Sequence, residues 1–373
     1  MSFQQISNNG YKFLTHYPRQ NKYWKAASKA TLGAVGLWSK LTLGAISTPK
    51  MHNTDILTEA YRTSKLENRG LLTVMNHTSV LDEPLVWGGL LPVRHYFMKD
   101  GLRWALGADN VCFKNSFTKM FFSLGQVLAT KRFGVGPFQG SIDASINLLS
   151  SNQTKYSAES ESNNGKGGIV LSASAASDSD SIPMNKSIID RPGWVHIFPE
   201  TFVHQPYPPH QHTLKYFHWG VSRLILESSQ PPIVVPIYTH GLEKIIPEDE
   251  SYIGGLRKRL GSKVEFNVGM PLDESAVASF RKEWLGMVRD QHKQGAIQAL
   301  DISNNIYESL NEPLMTGTAA RDLRSRVAAF VREGVDATRL QLGFEQSDPR
   351  MADASFWHNQ KEVRLAGKMH NRS

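Results

Sequence analysis

A chain of 373 residues, 40% of them apolar, can bury a substantial core as one large domain or two smaller ones, and its single cysteine excludes a disulfide framework. A formal charge of +8 and a pI near 9.4 call for an anionic partner. No nucleic-acid recognition module, base-stacking motif or zinc-ligand spacing is evident, so an acidic membrane fits that charge better than nucleic acid does.

The opening MSFQQISNNG lacks the basic amphipathic run of a transit peptide and the apolar core of a secretory signal, so no cleavable presequence is expected. Residues 24–48 carry Trp24, Trp38, Lys25, Lys29 and Lys40 and no acid. The uncharged run from Ala30 to Ser39 falls far short of the roughly 20 residues that span a bilayer, even if Lys40 snorkels. This segment, within residues 1–50, reads as an interfacial or re-entrant anchor, with a buried helix as the alternative.

The run GLLTVMNHTSVLDEP at 70–84 reads as a short buried strand, a turn and a helix entry. It delivers His77 from the strand end and Asp82 five positions later. Imidazole titrates near neutrality, so His77 suits a general base, and Asp82 can hold its far ring nitrogen in one tautomer. The same pair could also simply tie down the turn. No G-x-S-x-G elbow occurs, and Cys112 in NVCFKNSF reads as a buried or half-buried thiol, so direct activation of a substrate hydroxyl by His77 is the simplest chemistry.

Further strands are expected near 125–131, 194–198, 233–238 and 264–268, with helices near 83–90, 115–123, 138–149, 213–228 and 317–334. The alternation predicts an α/β fold, a partly parallel sheet flanked by helices. Residues 150–190, rich in serine and asparagine, read as a mobile insertion dispensable for chemistry. YFHWGVSRLILESSQPPIVVPIY at 216–238 reads as a helix followed by a strand, a candidate for dipping into one leaflet. The main domain is placed at 51–330 and a polar tail at 331–373.

NHTSVLD resembles the HX4D motif of the glycerolipid acyltransferase superfamily. The blocks RWALGADNVCFKN, FFSLGQVLATKRFGVGPFQGSID, WVHIFPE and PPIVVPIYTHGLEKI follow in the superfamily's order, most similar to its mitochondrial cardiolipin-remodelling transacylases. The resemblance implies a catalytic pair of His77 and Asp82 and a phosphate-binding cation at Arg132, with Lys131 beside it. A guanidinium offers phosphate a planar, bidentate partner, which favours Arg132. It further implies a glycerol-phosphate role for Glu200 and, for Pro236, the shaping of an acyl groove or a strand edge. Thr201 departs from the family pattern, occupying the glycine position of its Phe-Pro-Glu-Gly signature.

What the resemblance implies as a whole is acyl transfer from a phospholipid such as phosphatidylcholine to monolysocardiolipin, without coenzyme A or any other cofactor. The expected partners are phospholipid and lysophospholipid substrates and an anionic mitochondrial membrane rich in cardiolipin, facing the intermembrane space; homo-oligomerisation stays open. An acyl-CoA-dependent lysophospholipid acyltransferase, a phospholipase and a non-catalytic basic membrane-binding protein are the alternatives.

Overall fold

The computed structural model describes residues 13–14, 21–97, 102–132, 134–152, 182–248 and 261–359. The presequence reading, most of the serine-rich tract and the last basic residues fall outside these. A seven-stranded sheet has the order β1-β7-β6-β2-β5-β3-β4, with β1 Ser47–His52, β2 Leu71–Met75, β3 Trp104–Ala108, β4 Val127–Thr130, β5 Trp194–Ile197, β6 Ile233–His240 and β7 Ser262–Val268. Every pairing is parallel except β6 with β7. The main helices are α1 Lys22–Ile46, α2 Thr54–Leu66, α3 Asp82–Leu90, α4 Ser116–Leu124, α5 Gly140–Leu149, α6 Gly220–Leu226, α7 Glu274–Lys293 and α8 Thr318–Leu340.

Central β2 reads LLTVM and is buried throughout, as a parallel strand covered on both faces must be. Its one polar side chain, Thr73, is satisfied by Trp194 Nε1, which donates to Thr73 Oγ1 at 2.9 Å, and by His196 Nδ1 at 2.9 Å. Two apolar clusters cover the faces. One gathers α5, α6, α7 and α8, and the other gathers α1, α2 and α3. Three helices start where a short polar side chain accepts their first N–H groups: Asn21 caps α1, Asn115 and Thr118 form a reciprocal box at α4, and Asp273 caps α7.

Several expected boundaries move. Residue 50 falls inside β1, which pairs with β7, and residue 330 falls inside the continuous α8, so neither is a domain edge. Both ends of the serine-rich tract are built into the protein. Ser150 and Ser151 bond Ser229, the Ser187 hydroxyl donates to Asn147, and Met184 bridges to Leu300. A deletion of 150–190 would therefore remove core contacts. The leaflet-dipping reading of 216–238 also fails, since α6 is buried from Val221 to Leu226 and β6 is buried in the sheet from Ile233 to Thr239. The apolar character of this stretch is that of a core.

Helix α1 is amphipathic in an unusual sense. Its face with Trp24, Leu32, Gly33, Gly36 and Leu43 is buried, while Leu37, Trp38 and Leu41 are exposed. Glycines let it approach closely. A Cβ on Gly36 would meet the Tyr96 ring at 2.8 Å, and one on Gly88 of α3 would meet Ser39 Cβ at 2.7 Å. Lys40 does not snorkel: its Nζ donates to the carbonyls of Gly88 and Leu91 at 2.9 and 3.3 Å, closing the end of α3. Among the described residues, no helix is long and apolar enough to cross a membrane.

Candidate active site

The loop leaving the C-terminal end of β2 carries His77, and the first residue of α3 is Asp82. Ligand sites of open α/β sheets lie at such strand ends. Asp82 is fully buried, and its Oδ2 accepts from His77 Nδ1 at 3.0 Å, Thr78 N at 2.5 Å and Ser79 N at 2.8 Å. Thr78 Oγ1 adds a bond to Oδ1 at 3.2 Å. The carboxylate thus folds the turn and fixes the imidazole at once, which leaves His77 Nε2 for a substrate. The ring stacks on Phe198 with centroids 4.3 Å apart.

Asn76, one residue earlier, clamps the loop to β6: Thr239 N donates to its Oδ1 at 2.9 Å, and its Nδ2 donates to Thr239 O at 2.8 Å. Glu200 clamps it from the other side. Its Oε2 accepts from His77 N at 2.8 Å and its Oε1 from Lys215 N at 2.9 Å, with 1% of the residue exposed. Both oxygens are spent on backbone, so Glu200 positions the histidine loop and does not meet a glycerol hydroxyl. Burial pushes its carboxyl up to about 7, against the pull of the His77 and Lys215 N–H groups.

That shift has a definite sign. Folding takes up a proton at Glu200 between the ordinary 4.5 and about 7, so its contribution is complete below the lower value and is lost as pH rises through the upper. Glu200→Gln is expected to flatten this fall. The thermal midpoint of the wild type relative to the variant should decline from about pH 4.5 to about pH 7, and parallel profiles would show that Glu200 is not protonated on folding.

Thr201 has φ 67°, inside the left-handed region. The backbone there has a conformation that favours glycine, and threonine occupies it at a cost of roughly 1–2 kcal/mol.

His77 opens on a cavity of about 1480 Å³. Its walls are largely apolar: Leu32, Val35 and Trp38 of α1, Phe121 and Phe122 of α4, and Ile142, Ile197, Phe198 and Phe217. Arg132 and Lys131 border the same cavity, Arg132 held at 3.2 Å by Asn110 Oδ1 and set over the Phe202 ring at 5.8 Å. Gln139 fixes the Lys131 backbone, accepting from its N at 2.9 Å and donating to its O at 3.0 Å. Cys112 also borders the cavity, but burial pushes its thiol up to about 11, away from nucleophilic use.

Pro236 lies elsewhere. It sits within β6 beside Val74, and a Cβ on Gly269 would meet its ring at 2.9 Å, so it packs the sheet and touches no acyl groove. Sequence reasoning missed the ion pair of Arg103 with Glu83 on the cavity wall, and Arg332 of α8, whose guanidinium donates to the carbonyls of Lys215 and Leu214 at 3.0 and 2.8 Å. It also missed the wall built by residues 349–354 of the supposed tail. Only the amphipathic periodicity of α8 hinted that this region belongs to the core.

An imidazole steadied by a buried carboxylate at HX4D spacing, on a partly parallel α/β sheet and beside an apolar cavity with cations at its rim, defines a glycerolipid-type acyltransferase. The chain is 41% identical over 364 residues to tafazzin of Saccharomyces cerevisiae, covering 96% of this chain and 89% of that one. It is 31% identical over 246 residues to a taffazin of Dictyostelium discoideum, covering 65% and 68% of the two chains. The chain belongs to the tafazzin family. A solved 1-acyl-sn-glycerophosphate acyltransferase from Thermotoga maritima is similar at 12% identity and a TM-score of 0.38, covering 78% of this chain and 92% of that one. No family model matches.

Proposed function

We propose that the protein is a coenzyme A-independent transacylase that moves a fatty acyl group from a phospholipid to a lysophospholipid, with monolysocardiolipin as the chief acceptor, on a mitochondrial membrane. The observation that carries the reading is the His77–Asp82 pair at the edge of a cavity wide enough for lipid chains.

In this mechanism His77 Nε2 takes the proton of the acceptor hydroxyl as its oxygen attacks the donor ester carbonyl. Asp82 steadies the imidazolium. The tetrahedral intermediate then breaks its bond to the donor glycerol oxygen, and the imidazolium returns the proton to that oxygen. An ester is made for each ester broken, so the reaction is close to isoenergetic and runs both ways. Arg132, with Lys131 beside it, meets phosphate at the cavity rim.

Access from a lipid surface is supported by apolar side chains around the mouth. Leu37, Trp38 and Leu41 of α1 and Phe117, Met120 and Phe121 of α4 are exposed, and the two helices are joined where Ser28 Oγ donates to Leu124 O at 2.6 Å. Each large side chain inserted contributes about 1.5–3 kcal/mol. The double variant Phe117→Glu/Met120→Glu, at positions outside the cavity lining, is expected to weaken binding to anionic vesicles on the order of 10²-fold, with turnover on detergent-solubilised lipid retained. Undiminished cosedimentation would move the docking face elsewhere.

The deciding assay follows a labelled acyl chain from phosphatidylcholine to monolysocardiolipin with purified protein, with and without coenzyme A. Transfer in its absence supports the proposal. Transfer from acyl-CoA alone would make the protein an ordinary lysophospholipid acyltransferase, and release of free fatty acid a phospholipase.

A further inference from the structure

A second cluster of chemistry-bearing side chains lies away from the acyl cavity. His212 comes from the loop between β5 and α6, His240 ends β6, and Glu243 belongs to the short helix Leu242–Ile245 that follows. One ligand atom from each lies within 4.8 Å of those of the other two. We propose that these three side chains form a binding site for a divalent transition-metal ion of zinc type, with two imidazoles and one carboxylate as ligands.

Unmatched polar atoms point to an occupant. Glu243 Oε2 accepts from Gly241 N at 2.6 Å, while Oε1 is buried with no hydrogen-bond partner, 3.9 Å from His212 Nδ1. His240 Nδ1 is likewise buried without a partner. Native proteins rarely bury such atoms unsatisfied, and one ion would satisfy both. Zinc bonds to nitrogen and oxygen at about 2.0–2.2 Å, so the ligands need to draw in by about an ångström or less, within the reach of side-chain torsions.

The surroundings fit a metal site. His240 Nε2 faces Glu265 Oε2 at 3.8 Å, the arrangement in which a carboxylate orients a ligating imidazole through its other nitrogen. His52 Nε2 lies 3.4 Å from the same carboxylate oxygen. Phe344 walls the site, 4.7 Å from the His212 ring and 4.9 Å from the His240 ring. The Tyr238 hydroxyl donates to His212 O at 3.0 Å, and this holds a histidine at φ 69°. The cations near His212 are Lys244 and Arg339, and Arg339 is tied to Asp336 at 2.7 Å.

Three protein ligands leave a fourth position for water. An ion there would join β6 to the 212 loop one residue beyond Thr239, where Asn76 anchors the histidine loop.

The test uses the full chain, stripped with a chelator and titrated with zinc against a chromophoric competitor. Wild type is expected to bind one zinc per chain, with a rise in thermal midpoint. His240→Ala and Glu243→Gln should each weaken binding by at least about tenfold, whereas the remote His292→Ala should not. Glu243→Gln keeps the side-chain shape and an oxygen for Gly241 N, so it tests the site without unfolding it. Failure of wild type to bind zinc, or binding unchanged in both site variants, would overturn the proposal. The readout is zinc stoichiometry and is independent of acyl transfer.

Discussion

Replacing His77 with alanine is expected to abolish acyl transfer while leaving vesicle binding and folding intact. General acid–base groups contribute on the order of 10²–10⁴-fold, and here one imidazole serves both half-reactions, so the loss should reach about 10³-fold or more. His196 is fully buried behind Phe198 and held neutral by its burial, and Cys112 is kept a thiol. The backbone of residue 77 does not depend on its side chain, since its N–H is held by Glu200 and its carbonyl accepts from His204 N at 2.7 Å. Initial rates on labelled lipid, with cosedimentation as the control, check the prediction; turnover within a few fold of wild type would remove His77 from the chemistry.

Asp82→Asn should cost less than a bare loss of the tautomer lock suggests. Oδ2 accepts three N–H groups, whereas Oδ1 meets only the Thr78 hydroxyl, which can rotate to accept. The asparagine amide oxygen therefore settles in the Oδ2 place, its NH₂ faces Thr78, and the imidazole stays oriented. What disappears is the negative charge beside a developing imidazolium, which should lower turnover on the order of 10²–10³-fold with the fold preserved. Asp82→Ala should instead strand buried donors, at about 1–3 kcal/mol each where water cannot reach, and destabilise the protein as well. Comparing kcat and thermal midpoint across both variants separates the effects. Normal turnover in Asp82→Asn would dissolve the dyad.

What could be read from the sequence follows from how local each feature is. Strands β2, β5 and β6 announce themselves as continuous apolar runs, and the His77–Asp82 juxtaposition is closed by one turn. Edge strand β1, STPKMH, alternates weakly and contains Pro49, which an edge tolerates and a central strand does not. β3, WALGA, is short and carries a glycine, so neither had a visible signature. Glu200 follows its strand as expected, whereas Pro236 lies inside β6 and not after it; sequence does not say which way a side chain turns, and both are buried. The cavity draws on residues from Leu32 to Ala354, an assembly that only tertiary packing creates.

The glycine contacts between α1 and α3 have a mechanical corollary. With Gly88 against Ser39 and Lys40 stapled to the Gly88 and Leu91 carbonyls, the two helices meet at this point with no long side chain between them. Helix α1 presents Trp38 and Leu41 outward, and α3 begins at Asp82. On the proposed lipid-facing placement of α1, a tilt of that helix would be carried to α3, and with it to the alignment of the proton-transfer pair.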